Sequence, residues 1–285
     1  MLIGVLTCAI STNLSDAFAL DKKASYDDSA GWNLFSVEQD IQLGNESAAR
    51  FETAIQLVQE TRLNDYFSRL GKHLVATLPQ THFPFSFKLI ADERLQAFSF
   101  PGGPVYCTAG MMAVAEYEAQ LAGLVAHQIA HIVLRDTTSA ASHMKRFRVR
   151  AAMAAAGTGK KSLLDSLEEI DLYLRPGSEL MQFDLESEQR ATKLAAKLMI
   201  EAGYPPNEAW TFFENLRSNH KQQSESYLAK QSLLGLDNSE TSQVLQGKKF
   251  RLVSKRNFRR MRKQADAIQT ENDQLEALVN WVPPA

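Results

Sequence analysis

The sequence predicts an α+β fold that is mostly helical, with one small sheet of about three strands followed by helices. Two patterns predict it. Between Phe85 and Thr108 the apolar residues alternate with polar ones and the run is cut by turn residues. Beyond Thr108 the apolar residues recur at helical spacing over long stretches, and one stretch, Glu118 to about Leu134, is apolar nearly throughout. A period of two marks a half-buried strand and a period of 3.6 a helix.

Taken in order, residues 20–35 are polar and irregular. Ser36-Val37-Glu38-Gln39 has the Ser-x-x-Gln form of a capping box and opens a helix expected to run to about Glu60. In the next helix Tyr66, Leu70 and Leu74 share one face, and Pro79 and Pro84 bracket a break. Phe85, Phe87 and Leu89 form the first strand, Leu95 to Phe100 the second and Val105 to Thr108 the third; Pro101-Gly102-Gly103-Pro104 forces a turn between the last two. Helices are then expected over Ala109–Glu116, Glu118–Leu134, Thr137–Ala155, Leu163–Leu174, Glu186–Ala202 and Asn207–Leu216. Gly203-Tyr204-Pro205-Pro206 supplies a stop followed by a fresh start.

The chain has 285 residues, 45% of them hydrophobic and 22% charged, with a formal net charge of -2. That is enough to bury one sizeable core, and the charge balance gives no reason to expect nucleic acid as a partner. Residues 1–19 resemble an export signal: Leu2 to Ile10 are apolar and Ala17-Phe18-Ala19 is a small-x-small cleavage pattern, although no Lys or Arg precedes the run. The alternative is an N-terminal apolar strand. An exported protein would sit in the periplasm or otherwise outside the cytoplasm. Of the two cysteines, Cys8 lies inside this segment, and Cys107 ends an apolar strand, where a small buried hydrophobe is the expected role.

The chemistry is concentrated at His127-Gln128-Ile129-Ala130-His131, inside the long apolar helix. Residues four apart stand one turn from each other, so both imidazoles can reach one ion. A catalytic zinc takes three protein ligands, so a third must come from another element.

The surroundings of this pair resemble the zinc metalloendopeptidases that include the HtpX membrane protease and the BepA periplasmic protease. The resemblance runs from about Leu34 to Leu216. Leu34 to Ile41 is like the opening helix of the exported members, and Gln96-Ala97-Phe98-Ser99-Phe100-Pro101-Gly102-Gly103-Pro104-Val105-Tyr106 looks like their Asn-Ala-Phe-Ala-x-Pro-Gly-Gly-x-(Val/Ile)-Tyr segment. Glu118 to His127 is similar to their run into His-Glu-x-x-His, and Glu188-Gln189-Arg190-Ala191-Thr192 matches their Glu-x-x-Ala-Asp at two positions. The resemblance implies a zincin-like domain over residues 20–245. It implies Zn2+ held by His127, His131 and Glu188, a polypeptide substrate or client, and an edge strand at Gln96, Ala97, Phe98 and Ser99 against which an extended peptide adds.

Two positions depart from the pattern. Gln128 stands where the resemblance implies the general-base glutamate, and an amide cannot take up and pass on a proton. Thr192 stands where a carboxylate would orient a ligand histidine, and Arg190 adds a positive charge beside Glu188; together they are expected to weaken metal binding about 10–100-fold. A homologue that keeps zinc and cleaves weakly or not at all is the leading expectation. An active envelope endopeptidase and a metal-free structural or assembly protein are the alternatives. The resemblance also implies a further histidine near the metal in a Thr-His-Pro segment, which does not occur here; His220 is in a plausible place but has polar neighbours that favour a surface position, and His73, His82 and His143 have no partner pattern.

Residues 246–285 read as a separate basic amphipathic segment. Nine Lys or Arg lie between Lys248 and Lys263, interleaved with Phe250, Leu252, Val253, Phe258 and Met261. Such a segment could meet a membrane surface or an acidic partner, or simply form a solvated face.

Overall fold

The computed structural model describes residues 33–143, 183–209, 211, 212, 216 and 257–268. The apolar lead-in at 1–19, the helix expected at Leu163–Leu174, and His220 lie outside them, as do the later parts of the stretches expected at Thr137–Ala155 and Asn207–Leu216.

Helix α1 spans Val37–Glu52 and begins with the capping box: Gln39 N–H donates to Ser36 Oγ at 3.2 Å, and Ser36 N–H to Gln39 Oε1 at 2.8 Å. It stops about eight residues earlier than the sequence suggests. The backbone of 56–58 is drawn into the sheet instead, with Val58 N–H bonded to Leu89 O at 2.9 Å and Ala91 N–H to Gln56 O at 2.8 Å. Tertiary pairing overrides helical propensity there. Helix α2, Thr61–Val75, buries Tyr66, Leu70 and Leu74 on the expected face.

Strands β1 (Ser86–Ile90), β2 (Ala97–Ser99) and β3 (Pro104–Thr108) form one sheet in the order β1-β3-β2, with β1 parallel and β2 antiparallel to the central β3. The second strand is shorter than the expected Leu95–Phe100. Side-chain alternation divides the sheet cleanly. Phe87, Leu89, Ala97, Val105 and Cys107 join the main core, whereas Ile90, Phe100 and Tyr106 join a second cluster with Ala48 and Phe51 of α1. Gly102 and Gly103 take φ of 73° and 140° in the turn before β3, a region open chiefly to glycine. The turn lies directly on α1, where a Cβ on Gly44 would fall 1.7 Å from the carbonyl oxygen of Pro101.

Helix α3 (Ala109–Val114) is capped by the Thr108 side chain, and α4 (Glu118–Val133) follows. Every residue of α4 is buried, the state expected of a helix that is apolar on all sides. Glu118, at its first turn, is buried because it accepts hydrogen bonds from two tyrosines, Tyr66 and Tyr204, the latter at 2.7 Å. Helix α5, Leu185–Glu201, is capped by Asp184 and packs along α4 more extensively than any other element.

Residues 257–268 are helical, and Phe258, Met261 and Ala265 enter the main core beside Tyr66, where Arg262 Nε donates to the Ala113 carbonyl at 2.7 Å. The described part of the basic C-terminal stretch therefore turns its apolar face inward and presents Arg259, Arg260 and Lys263 to solvent. No helix among the described residues is long and apolar enough to cross a membrane.

Candidate metal centre

One turn of α4 separates His127 from His131, and their rings stand at 90° with centroids 4.5 Å apart. The two Nε2 atoms are 3.0 Å from each other. Glu188, in the first turn of α5, places Oε2 3.1 Å from Nε2 of His127 and 3.7 Å from Nε2 of His131. All three residues are buried.

These separations test the fit to a metal. A tetrahedral zinc with bonds of about 2.0–2.1 Å has ligand atoms roughly 3.3 Å apart. Two imidazole nitrogens and a carboxylate oxygen spaced at 3.0, 3.1 and 3.7 Å match that edge length. The donor set is the nitrogen and oxygen chemistry zinc prefers, and a fourth position is left to a substrate or solvent.

Electrostatics agree with the geometry. Burial, helped by the neighbouring His131, keeps His127 below the ordinary imidazole range and therefore neutral, the form that ligates. For His131 burial also favours the neutral form, but hydrogen bonds and charge from Asp136 and Glu188 outweigh it and raise the ring to about 9. Burial would raise Glu188, yet its bonds to the two imidazoles hold it well below the usual carboxylate range. The trio is thus a carboxylate facing two rings that compete for one positive charge, a charge a divalent cation replaces.

Supporting residues follow. Asp136 accepts from His131 Nδ1 at 2.8 Å, and its other oxygen lies 3.2 Å from Arg190 Nη2. Arg190 also donates to Ser187 Oγ at 3.0 Å. Its charge is thus directed at Asp136. The carboxylate on His131 comes from Asp136, and Thr192 is half-buried on α5. Phe183 stacks on His131 with centroids 4.1 Å apart. Asp136 and Phe183 were not found from sequence. The only trace was an acidic residue five positions after His131.

Gln128 is buried on the side of α4 that faces β2, and Ser99 Oγ donates to its Oε1 at 3.1 Å. Among the expected peptide-binding residues, β2 is an edge strand: Ala97 and Ser99 turn their side chains toward α4, while Phe98 stacks on Tyr106 with centroids 5.4 Å apart. Gln96 is bonded through its carbonyl to Thr108 N–H at 3.0 Å. Cys107 is fully buried, and burial pushes its thiol far above the usual range, which leaves it no nucleophilic role. His73 bonds the carbonyl of Ala202 at 2.9 Å, and His82 is exposed.

A helical domain with a small mixed sheet and a buried His-His-Glu group on two packed helices defines a zincin-like metallopeptidase domain. Residues 59–231 match Peptidase family M48, and the chain belongs to that family, whose cofactor is zinc. It is 28% identical over 198 residues to the beta-barrel assembly-enhancing protease of Escherichia coli, a match covering 66% of this chain and 39% of that protein. The corresponding protein of Yersinia pestis is 24% identical over the same shares. The mitochondrial metalloendopeptidase OMA1 of Schizosaccharomyces pombe is 27% identical over 151 residues, 53% of this chain and 43% of that one. The matched region thus spans about two fifths of the length of these relatives.

Proposed function

We propose that this chain is an exported zinc-metallopeptidase homologue that holds zinc through His127, His131 and Glu188 and binds extended or misfolded polypeptide with weak or absent hydrolysis. The observation that carries the reading is Gln128: a buried amide, bonded by Ser99, beside a ligand set whose spacing is fit for zinc.

Zinc, when bound there, supplies a Lewis acid that polarises a peptide carbonyl. The chain's own residues supply the rest. His127 would meet the cation as a neutral ring and His131 would give up its proton to do so, Glu188 would balance the charge, and the packing of α5 on α4 buries the three donors. A proton still has to leave the attacking water and reach the departing amine, and Gln128 cannot carry it. Peptide capture has no such need. Strand pairing places Phe98 opposite Tyr106, so the backbone groups of Ala97 and Ser99 point to the outer edge of β2, next to α4. An extended client would add there by main-chain hydrogen bonds.

The names of the relatives support polypeptide as the ligand class, and the small-x-small pattern at 17–19 supports an extracytoplasmic setting. Contact of Arg259, Arg260 and Lys263 with a membrane surface or an acidic partner would be electrostatic only, since the apolar face of that helix is already used.

Casein cleavage measured with and without a chelator tests the proposal. The native chain should sit near background in both. Chelator-sensitive cleavage by the native chain would instead support an active endopeptidase in envelope protein quality control, which the intact ligand set favours as the second reading.

A further inference from the structure

The side chain of Asp136 is completely buried, and both of its oxygens are engaged: one with His131 Nδ1 at 2.8 Å, the other with Arg190 Nη2 at 3.2 Å. A buried carboxylate is costly unless paired, and here the pairing joins a ligand histidine to the neighbouring helix. We propose that Asp136 is the positioning residue of the metal centre. It holds His131 with Nδ1 protonated and Nε2 turned to the cation, and through Arg190 it straps the end of α4 to the start of α5.

The tautomer follows from the partner. A carboxylate accepts, so the ring nitrogen facing it carries the proton and the other keeps its lone pair. That other nitrogen, Nε2, is the one that lies 3.0 Å from His127 Nε2 and 3.7 Å from Glu188 Oε2. The strap follows from connectivity. Asp136 lies three residues beyond α4, which carries both histidines, while Arg190 lies two residues after Glu188 on α5.

Asp136 reaches this place only because the chain turns. On a continued helix a residue five positions after His131 stands about 140° around the axis from it and faces elsewhere. Instead α4 ends, and Arg135 takes φ 57°, a conformation a non-glycine side chain rarely adopts. It is held there from α1: Arg135 Nε donates to Asp40 Oδ2 at 2.7 Å and Nη2 to the Phe35 carbonyl. Thr138 Oγ1 adds a bond to the same Asp40 oxygen at 3.1 Å. The buried Asp40–Arg135 pair thus fixes the turn that delivers Asp136. Neither the turn nor the strap is visible in the His-x-x-x-His spacing.

The inference rests on the His127–His131–Glu188 reading, and the test separates the two. Zinc affinity of the full chain is measured by competition with a chromophoric chelator, and Co2+ is added separately to read the visible absorption bands of the metal. Asp136→Asn should weaken zinc about 10–100-fold and alter the Co2+ bands, the response of a lost ring-orienting partner. Arg190→Gln, at a side chain 37% exposed, should weaken zinc in the same direction but less. Native zinc affinity and unchanged Co2+ bands in Asp136→Asn would overturn the inference. If that variant fails to fold, Arg190→Gln decides, and native affinity there overturns the strap. Absence of zinc binding in the native chain would strike the metal centre itself.

Discussion

His131 and Gln128 lie three residues apart on one helix, yet their surroundings have opposite consequences. Around His131 the ring is bonded at Nδ1, stacked by Phe183 and faced by two further donors, and each contact favours holding a cation. Around Gln128 a hydroxyl from β2 bonds an amide that has no proton chemistry to offer. Binding a metal needs lone pairs at fixed spacing; hydrolysis needs in addition a group that changes protonation state. On the proposed reading the first requirement is met without the second, and the two are separable within one turn of α4.

The largest effect that would break this contrast is restored base chemistry. Gln128→Glu should raise chelator-sensitive casein cleavage about 10²–10⁴-fold over the native chain, the usual contribution of a general acid/base, while zinc affinity stays near native. A variant that binds zinc and remains inactive would move the defect from residue 128 to the peptide-binding edge.

A smaller effect sharpens the His131 side. In the metal-free protein its imidazole is raised from the ordinary 6.5 to about 9, so its charged form stabilises the fold fully below pH 6.5, and that contribution is lost as pH rises through 9. The loss amounts to roughly 3 kcal/mol at most. Denaturant melts of metal-free protein should therefore weaken between pH 6.5 and 9. Zinc displaces the same proton, so zinc affinity should rise over that window. Below pH 6.5 the trend reverses, first because His127, lowered by burial, resists the proton its unfolded form takes, and then because Glu188 is held depressed.

The smallest effect belongs to the Gln128 side. Ser99→Ala removes one buried hydrogen bond and should cost about 1 kcal/mol in a denaturant melt, with zinc affinity unchanged. A fall in zinc affinity would show that the two surroundings are coupled after all.

What was legible in the sequence follows how local each signal is. The capping box at Ser36, the sheet between Phe85 and Thr108 and the helix from Glu118 are set by patterns within a few residues, and they appear where expected. Glu188 was legible through the resemblance of its neighbours, and the structure brings it to the histidines. The early end of α1 was not, because it depends on residues 56–58 pairing with a strand some thirty positions away. Asp136 was hidden for the same reason. It follows Arg135, which lies in the left-handed region and whose side chain bonds to Asp40, 95 residues earlier. The pairing of Arg190 with Asp136 was hidden with it.

Metal analysis of the purified chain, native beside Glu188→Gln, tests the central claim most directly. One zinc per native chain, lost in the Glu188→Gln variant, is the predicted result. A native chain that takes up no zinc, or a variant that holds it as tightly as the native chain, would contradict it.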